Sequence, residues 1–175
     1  MGLSSFTDAE CLVSGAASGI GRATALALAA RGAVVHLTDI DAAGMEETAA
    51  EIVAAGRTVG IARAVDLRDH ASVLALADEV HSSHGSLDAV MNVAGVSTWG
   101  PIERLEHSDW TQMIEIDLVG PISVLEAFVP AMIEAGRVGH VVNVSSAAST
   151  AKPSLLRKAL WSIVNCIGGN GGPIW

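Results

Sequence analysis

Hydrophobic and polar positions along this chain fall into two alternating textures. Short runs rich in valine occur at residues 10–15 (ECLVSG), 33–39 (AVVHLTD), 58–66 (TVGIARAVD), 87–95 (LDAVMNVAG) and 139–145 (GHVVNVS). They show little polar alternation, the pattern of strands covered on both faces. Between them lie longer segments of helical period at 19–32, 41–56, 69–85 and 108–136. Each of these ends on a glycine (Gly32, Gly56, Gly85, Gly136), where a left-handed C-cap is expected. Leu74, Leu76, Ala77 and Val80 give the third helix an apolar stripe. Pro121 and Pro130 fall within the fourth and are expected to bend or split it, because each removes a backbone donor. Strand–helix alternation of this kind predicts right-handed crossovers and an α/β fold with a doubly wound parallel sheet.

Composition narrows the partners. The 175 residues, half of them hydrophobic, suffice for one domain with a substantial core. Ten basic side chains against nineteen acidic ones give a formal charge of −9, with no basic cluster. Nucleic acid and anionic membranes are therefore not expected partners, since both require a concentrated positive face. Cys11 and Cys166 are too few for a disulfide framework or a zinc site. His81 and His84 have the spacing of a metal pair but no apparent third ligand, so no metal is expected. No uninterrupted apolar run of about 18 residues suggests a membrane span. Asp8 and Glu10 interrupt any leader-like run, and MGLSSF carries Phe6 where a myristoylation signal needs serine or threonine, so the expected address is the cytoplasm.

The most specific local signal is LVSGAASGIGRATALALA, with Gly15, Gly19 and Gly21 directly after the first strand and opening the first helix. Gly15 permits a sharp turn, Gly19 lets backbone N–H groups approach a pyrophosphate, and Gly21 lets the helix pack close to the sheet. Ser18 and Ile20 belong to the same phosphate-facing turn. Asp39 follows the second strand, 18 residues beyond Gly21. A carboxylate there accepts both hydroxyls of an adenosine ribose and repels a 2′-phosphate. Ala16, Ala17, Ser18 and Ile40 offer that phosphate no counter-charge, so NAD is expected in preference to NADP. The competing role for Asp39, a helix N-cap, can be filled by Asp41.

Residues 9–146 resemble the cofactor-binding half of the short-chain dehydrogenase/reductase family. The resemblance rests on SGAASGIG (14–21), the acid after the second strand, VDLRD (65–69), NVAG (92–95), IDLVG (116–120) and NVSSAAS (143–149), in that order and at those intervals. It implies NAD-linked hydride transfer between an alcohol and a ketone. It also implies that Asp66 and Leu67 hold adenine, through the carboxylate and the following backbone N–H; a plain strand-to-helix turn capped by Asp69 is the alternative. Asn92, Ala94 and Gly95 would pass beneath the cofactor, with Asn92 either touching it or bracing neighbouring loops. Asp117 stands where the family carries an asparagine that holds a water beside the catalytic lysine. Ser146 aligns with the serine that donates to the substrate oxygen, where charge develops. Trp99 either lines a substrate cleft or is an exposed loop aromatic.

The resemblance then requires a tyrosine 13 residues beyond Ser146 and a lysine one helical turn later, the ammonium lowering the phenol's pKa so that it can exchange a proton. This chain has Ala159 and Ile163 at those positions and no tyrosine at all. Lys152 and Lys158 have no phenol to tune. The expected organisation is a dinucleotide-binding domain over 1–150, ending after the fifth strand, and a divergent tail over 151–175 with an amphipathic helix at 154–167. Three readings share this fold: an oxidoreductase inactive as written, a non-catalytic nucleotide-binding or interaction module, and a truncated or frameshifted product of an active gene. A strand edge left open after the fifth strand, and the pairing of relatives through the fourth helix, make a homo-oligomer possible.

Overall fold

The computed structural model describes residues 5–145. They form a five-stranded, wholly parallel sheet with helices on both faces. In chain order the elements are β1 (Glu10–Ser14), α1 (Gly19–Ala30), β2 (Val34–Asp39), α2 (Ala42–Ala54), β3 (Val59–Ala64), α3 (His70–His84) and β4 (Ala89–Asn92). A 3₁₀ turn (Ile102–Arg104), α4 (His107–Ile114), α5 (Gly120–Glu134) and β5 (His140–Asn143) follow. The strand order is β3-β2-β1-β4-β5. The chain thus winds outward from β1 to β3, returns across the sheet, and winds outward again through β4 and β5. Expectation and structure agree on the doubly wound parallel sheet.

Two cores follow from strand alternation. Cys11 and Val13 point to one face, where Ala25, Leu28 and Ala29 of α1 and Met45 and Ile52 of α2 close over them. Leu12 and Val90 point to the other, against Val73, Leu76, Ala77 and Val80 of α3 and Val124, Phe128 and Met132 of α5. The buried stripe of α3 thus begins at Val73. Leu74, assigned to it from sequence, is 42% exposed, because the i, i+3, i+4, i+7 face runs 73, 76, 77, 80. Burial of both faces holds for β1, β2 and β4 but not for the outer strands: β3 and β5 are half-exposed along most of their length. An edge strand has a neighbour on one side only. The glycines predicted to stop the helices all have positive φ, 89° at Gly32, 69° at Gly56, 79° at Gly85 and 62° at Gly136, but Gly85, with ψ −150°, is not in the left-handed helical conformation expected of it.

The fourth helical segment runs without interruption from His107 to Glu134, so of the expected bend or split at the prolines the split does not occur. Its irregularity is a π-helical stretch, Glu115–Val119, placed just before Pro121. Pro121 follows directly after that stretch, at the second residue of α5. Pro130 sits inside α5 on an exposed face. This 28-residue helix contains an 18-residue window of mean hydropathy 1.7 and is long and apolar enough by composition to cross a membrane. Its Val124–Phe128–Met132 stripe is nevertheless packed into the second core against α3. Cys11 is buried, and desolvation, with the nearby Asp88 and Glu10 carboxylates adding to it, pushes its thiol up to about 12. It is a packing residue, not a nucleophile.

Phe128 is wholly buried at the centre of the second core. Phe128→Ala is expected to cost about 3–5 kcal/mol, read as a lower urea midpoint with little change in slope; a loss below about 1 kcal/mol contradicts this packing.

Candidate functional site

The site is built where β1 and β4 lie side by side and their connections leave in opposite directions, the topological switch point at which doubly wound sheets bind ligands. Gly15 turns the chain there with φ 72°, and a Cβ on it would lie 2.8 Å from the Cα and N of Ala94. A Cβ on Gly21 would strike the carbonyl of Gly15. Gly19, at φ 53°, faces open space instead. Two of the three glycines are therefore required by close packing, and the third leaves room above the helix end.

The loop is held from several sides. Thr38 accepts from the Ala16 N–H through its carbonyl at 3.2 Å, and Thr48 Oγ1 donates to the Ala16 carbonyl at 2.9 Å. Ser14 Oγ accepts from the N–H groups of Val93 and Ala94 at 3.1 and 3.2 Å, fastening the end of β1 to the turn after β4. The first turn of an α-helix leaves N–H groups without intrahelical partners. In α2 and α3 the capping aspartates, Asp41 and Asp69, take such a group, and in α4 Glu106 and Asp109 form a capping box. Ser18, the cap of α1, makes no side-chain capping bond. That end of α1 is the one the glycine turn opens toward.

Asp39 is half-buried at the end of β2, its Oδ2 accepting from the Ala17 N–H at 2.9 Å and its Oδ1 from the Asp41 N–H at 3.0 Å. Those bonds aim the carboxylate at the glycine turn and leave each oxygen further acceptor capacity. The N-cap of α2 is Asp41, so capping does not account for Asp39. Ile20 and Ile40 are exposed beside the turn.

Asp66 and Leu67 follow β3. Leu67 is buried against Gly120, whereas the Asp66 carboxylate is gripped by Arg68, Nε at 2.9 Å and Nη2 at 2.6 Å, which also donates its backbone N–H. The Arg68 side chain holds the Asp66 carboxyl below its ordinary range. Asp69 caps α3. Arg68 was not singled out from sequence; a charge two residues past an aspartate in a turn is its only signal. Asn92 is buried, and its Nδ2 donates to Asn143 Oδ1 at 2.9 Å, bridging the ends of β4 and β5. The bracing role, one of the two open for Asn92, is the one this bond serves.

Asp117 lies in the π-helical stretch, where the widened turn carries its side chain across to the loop after β4. Its Oδ1 accepts from the Val96 N–H at 2.8 Å, and a Cβ on Gly95 would lie 3.3 Å from that oxygen. Desolvation raises the Asp117 pKa, partly offset by the bond from Val96. Trp99 is 77% exposed. Ser146, Lys152, Lys158, Ala159, Ile163 and the helix expected at 154–167 lie outside the described residues, as do Cys166 and the 151–175 tail.

The histidines give one surprise. His84 does have potential co-ligands: one atom each from Glu10, His36 and His84 lie within 4.8 Å of one another. His36 Nε2 is 2.8 Å from Glu10 Oε2, and His36 Nδ1 accepts from the Ile61 N–H at 3.0 Å. The second bond fixes the ring's proton on Nε2, so that nitrogen donates to Glu10 and has no lone pair for a metal. His81 instead stacks edge-on against Phe128.

A parallel sheet wound both ways from a glycine bend, with an acid after the second strand, defines a Rossmann-like dinucleotide-binding architecture. The sequence matches the short chain dehydrogenase family over residues 10–157, and the chain belongs to that family. It is 40% identical over 148 residues to the probable oxidoreductase EphD of Mycobacterium tuberculosis (83% of this chain, 24% of that protein). It is 42% identical over 141 residues to D-threitol dehydrogenase of Mycolicibacterium smegmatis (79% of this chain, 53% of that protein). The chain thus spans between about a quarter and half of the length of these curated relatives. Among solved structures, a short chain dehydrogenase/reductase from Burkholderia phymatum in complex with NAD superposes with a TM-score of 0.85 at 28% identity, covering 93% of this chain and 58% of that one. A metagenomic short-chain oxidoreductase in complex with NADP gives 0.83 at 36% identity, covering 94% and 75%.

Asp117→Asn keeps the acceptor for Val96 and removes the ionised form that burial disfavours. For an acid whose folded pKa is raised, the folded state retains a proton the unfolded chain has lost, so stability falls as pH rises from 3.8 through the folded pKa. Asp117→Asn is therefore expected to raise the melting temperature at pH 7 by a few degrees and to gain little near pH 4. A gain independent of pH contradicts the assignment.

Proposed function

We propose that this chain is the dinucleotide-binding part of an alcohol–ketone oxidoreductase that uses NAD, and that the 175 residues as written bind the dinucleotide without turning it over at an appreciable rate. The observation that carries the binding half is Asp39: a carboxylate held by the Ala17 N–H beside the glycine turn and released from helix capping by Asp41. The open N-terminus of α1 suits a pyrophosphate, with Gly15, Ser18, Gly19, Ile20 and Gly21 presenting backbone to it. Asp39 is assigned to the adenosine ribose hydroxyls; its negative charge disfavours the extra phosphate of NADP.

Asp66 and Leu67 are assigned to adenine. Arg68 leaves the Asp66 carboxylate ionised and oriented, so it is an acceptor for an exocyclic amine at any moderate pH. Ala94 and Gly95, small residues after β4, let the cofactor pass close to the backbone. Asn92 and Ser14 hold that loop, Asn92 through Asn143 and Ser14 through the Val93 N–H. Bound NAD supplies the hydride acceptor. Ser146 is the residue assigned to polarise the substrate oxygen, and Asp117 holds the loop after β4 through the Val96 N–H. The substrate class is a small secondary alcohol or the matching ketone.

The inactivity half rests on residue chemistry. Hydride transfer from an alcohol requires loss of the hydroxyl proton to a positioned base. Ala159 and Ile163 cannot take that proton, and the sequence contains no tyrosine to do so. The family match itself ends at residue 157, just short of those positions.

NADH is expected to raise the melting temperature more than NADPH, and Asp39→Ala to narrow the difference to within error; equal responses in the unaltered protein contradict the assignment of Asp39. Steady-state assays with NAD and simple secondary alcohols are expected to show background rates. Robust NADH production by the purified chain would overturn the inactive reading and leave the binding reading intact.

A further inference from the structure

At the outer edge of the sheet, β2 and β3 pair out of step. Val35 pairs with Val59 and Leu37 with Ala62, so two steps along β2 face three along β3. The extra residue forms a bulge, and Gly60 and Ile61 together stand opposite His36. A bulge leaves a backbone group without its ladder partner. Here the vacancy is filled by a side chain, because the Ile61 N–H donates to His36 Nδ1 at 3.0 Å. Gly60 makes room for the ring: a Cβ there would lie 2.4 Å from His36 Cε1.

We propose that His36 is an acid-labile latch: its neutral imidazole holds β3 to the sheet, and protonation of Nδ1 turns the acceptor of the Ile61 N–H into a donor facing it. The ring is wholly buried, and both nitrogens are committed, Nε2–H to Glu10 and Nδ1 to Ile61.

The groups facing the ring come from every neighbouring element. From β1, the Glu10 carboxylate favours a charged imidazole. From α3, His84 meets the ring edge-on at a centroid distance of 4.7 Å, with Nδ1 3.5 Å from Glu10 Oε1, and opposes a second charge. Ahead of β4, Asp88 accepts the Glu10 N–H at 3.0 Å and is itself paired with Arg137. Burial outweighs Glu10, and the His36 pKa is lowered from 6.5. A base with a depressed folded pKa gives its full stabilisation above the unfolded value of 6.5, and this is lost as pH falls from there toward the folded pKa. Because β3 is a half-exposed edge strand, the first response is local opening of β3.

The latch also bears on the site. β3 runs directly into Asp66 and Leu67, so dinucleotide binding there opposes the opening; this consequence rests on the function proposed above, whereas the latch does not.

The test is amide hydrogen exchange of the full chain at Ile61, corrected for the intrinsic rate, between pH 7.5 and 5. Opening coupled to uptake of one proton predicts that protection falls as pH drops below 6.5, by at most about tenfold per pH unit and levelling off below the folded pKa, and that His36→Gln, an acceptor that does not titrate, abolishes this fall. A flat profile in the unaltered protein, or the same slope in His36→Gln, overturns the latch. If His36→Gln fails to fold, nitrogen-15 spectra of the unaltered protein decide. An Nε2–H tautomer whose protonation coincides with loss of Ile61 protection supports the latch. An Nδ1–H tautomer, or protonation without loss of protection, refutes it. Adding NADH at pH 5.5 is expected to restore protection. No effect of NADH alongside a His36-dependent slope would fault the binding assignment and leave the latch standing.

Discussion

Everything at the candidate site depends on how closely two backbones can approach at the end of β1. Gly15 lies so near Ala94 that a single added carbon would meet its Cα at 2.8 Å, and Ser14 ties the same two strands together through Val93 and Ala94. This contact closes the switch point from below. It sets the direction of α1 and opens the helix end outward, while Gly21 allows that helix to sit against the turn it has just left. A larger residue at Gly15 would separate β1 from the β4 loop and misdirect the helix together with the phosphate-facing N–H groups.

The electrostatics around this bend divide the acidic residues by task. Asp41 and Asp69 cap helices, and Asp66 is clamped by Arg68. Asp39 is held by backbone N–H groups beside the open end of α1, and Asp117 by one N–H while burial raises its pKa. A chain of net charge −9 can thus offer an anionic ligand a favourable seat, because the helix dipole and backbone donors act at short range where the surrounding acids are already engaged.

Much of this architecture was legible in the sequence because it is local. Valine-rich runs, helical periods and terminal glycines marked the five strands and four helical segments of the described residues, Gly15 turns the chain at positive φ, and Asp41 caps α2 in place of Asp39. What escaped depends on register or on an irregular turn. Asn92 meets Asn143 only because β4 and β5 pair in parallel, and His36 comes beside Glu10 only because Glu10 aligns with Val34. His84 seemed to lack co-ligands because its neighbours come from strands remote in sequence. Pro121 and Pro130 marked the right helix, but it is not split there: it widens at Glu115–Val119, and Pro121 comes just after. The stripe of α3 was misplaced by one residue because Val73 and Leu74 are both apolar, and only packing distinguishes them. Ser146 and the positions of the missing tyrosine and lysine fall outside the described residues, so their chemistry rests on sequence alone.

The central claim is that the bend, the helix end and Asp39 together grip the pyrophosphate and ribose of a dinucleotide. Calorimetric titration of the folded chain with ADP-ribose, which carries those groups and no nicotinamide, tests it most directly. The account predicts saturable one-to-one binding that is lost when Gly15 is replaced by valine. Absence of binding to a sample shown to be folded by its near-ultraviolet circular dichroism would contradict it.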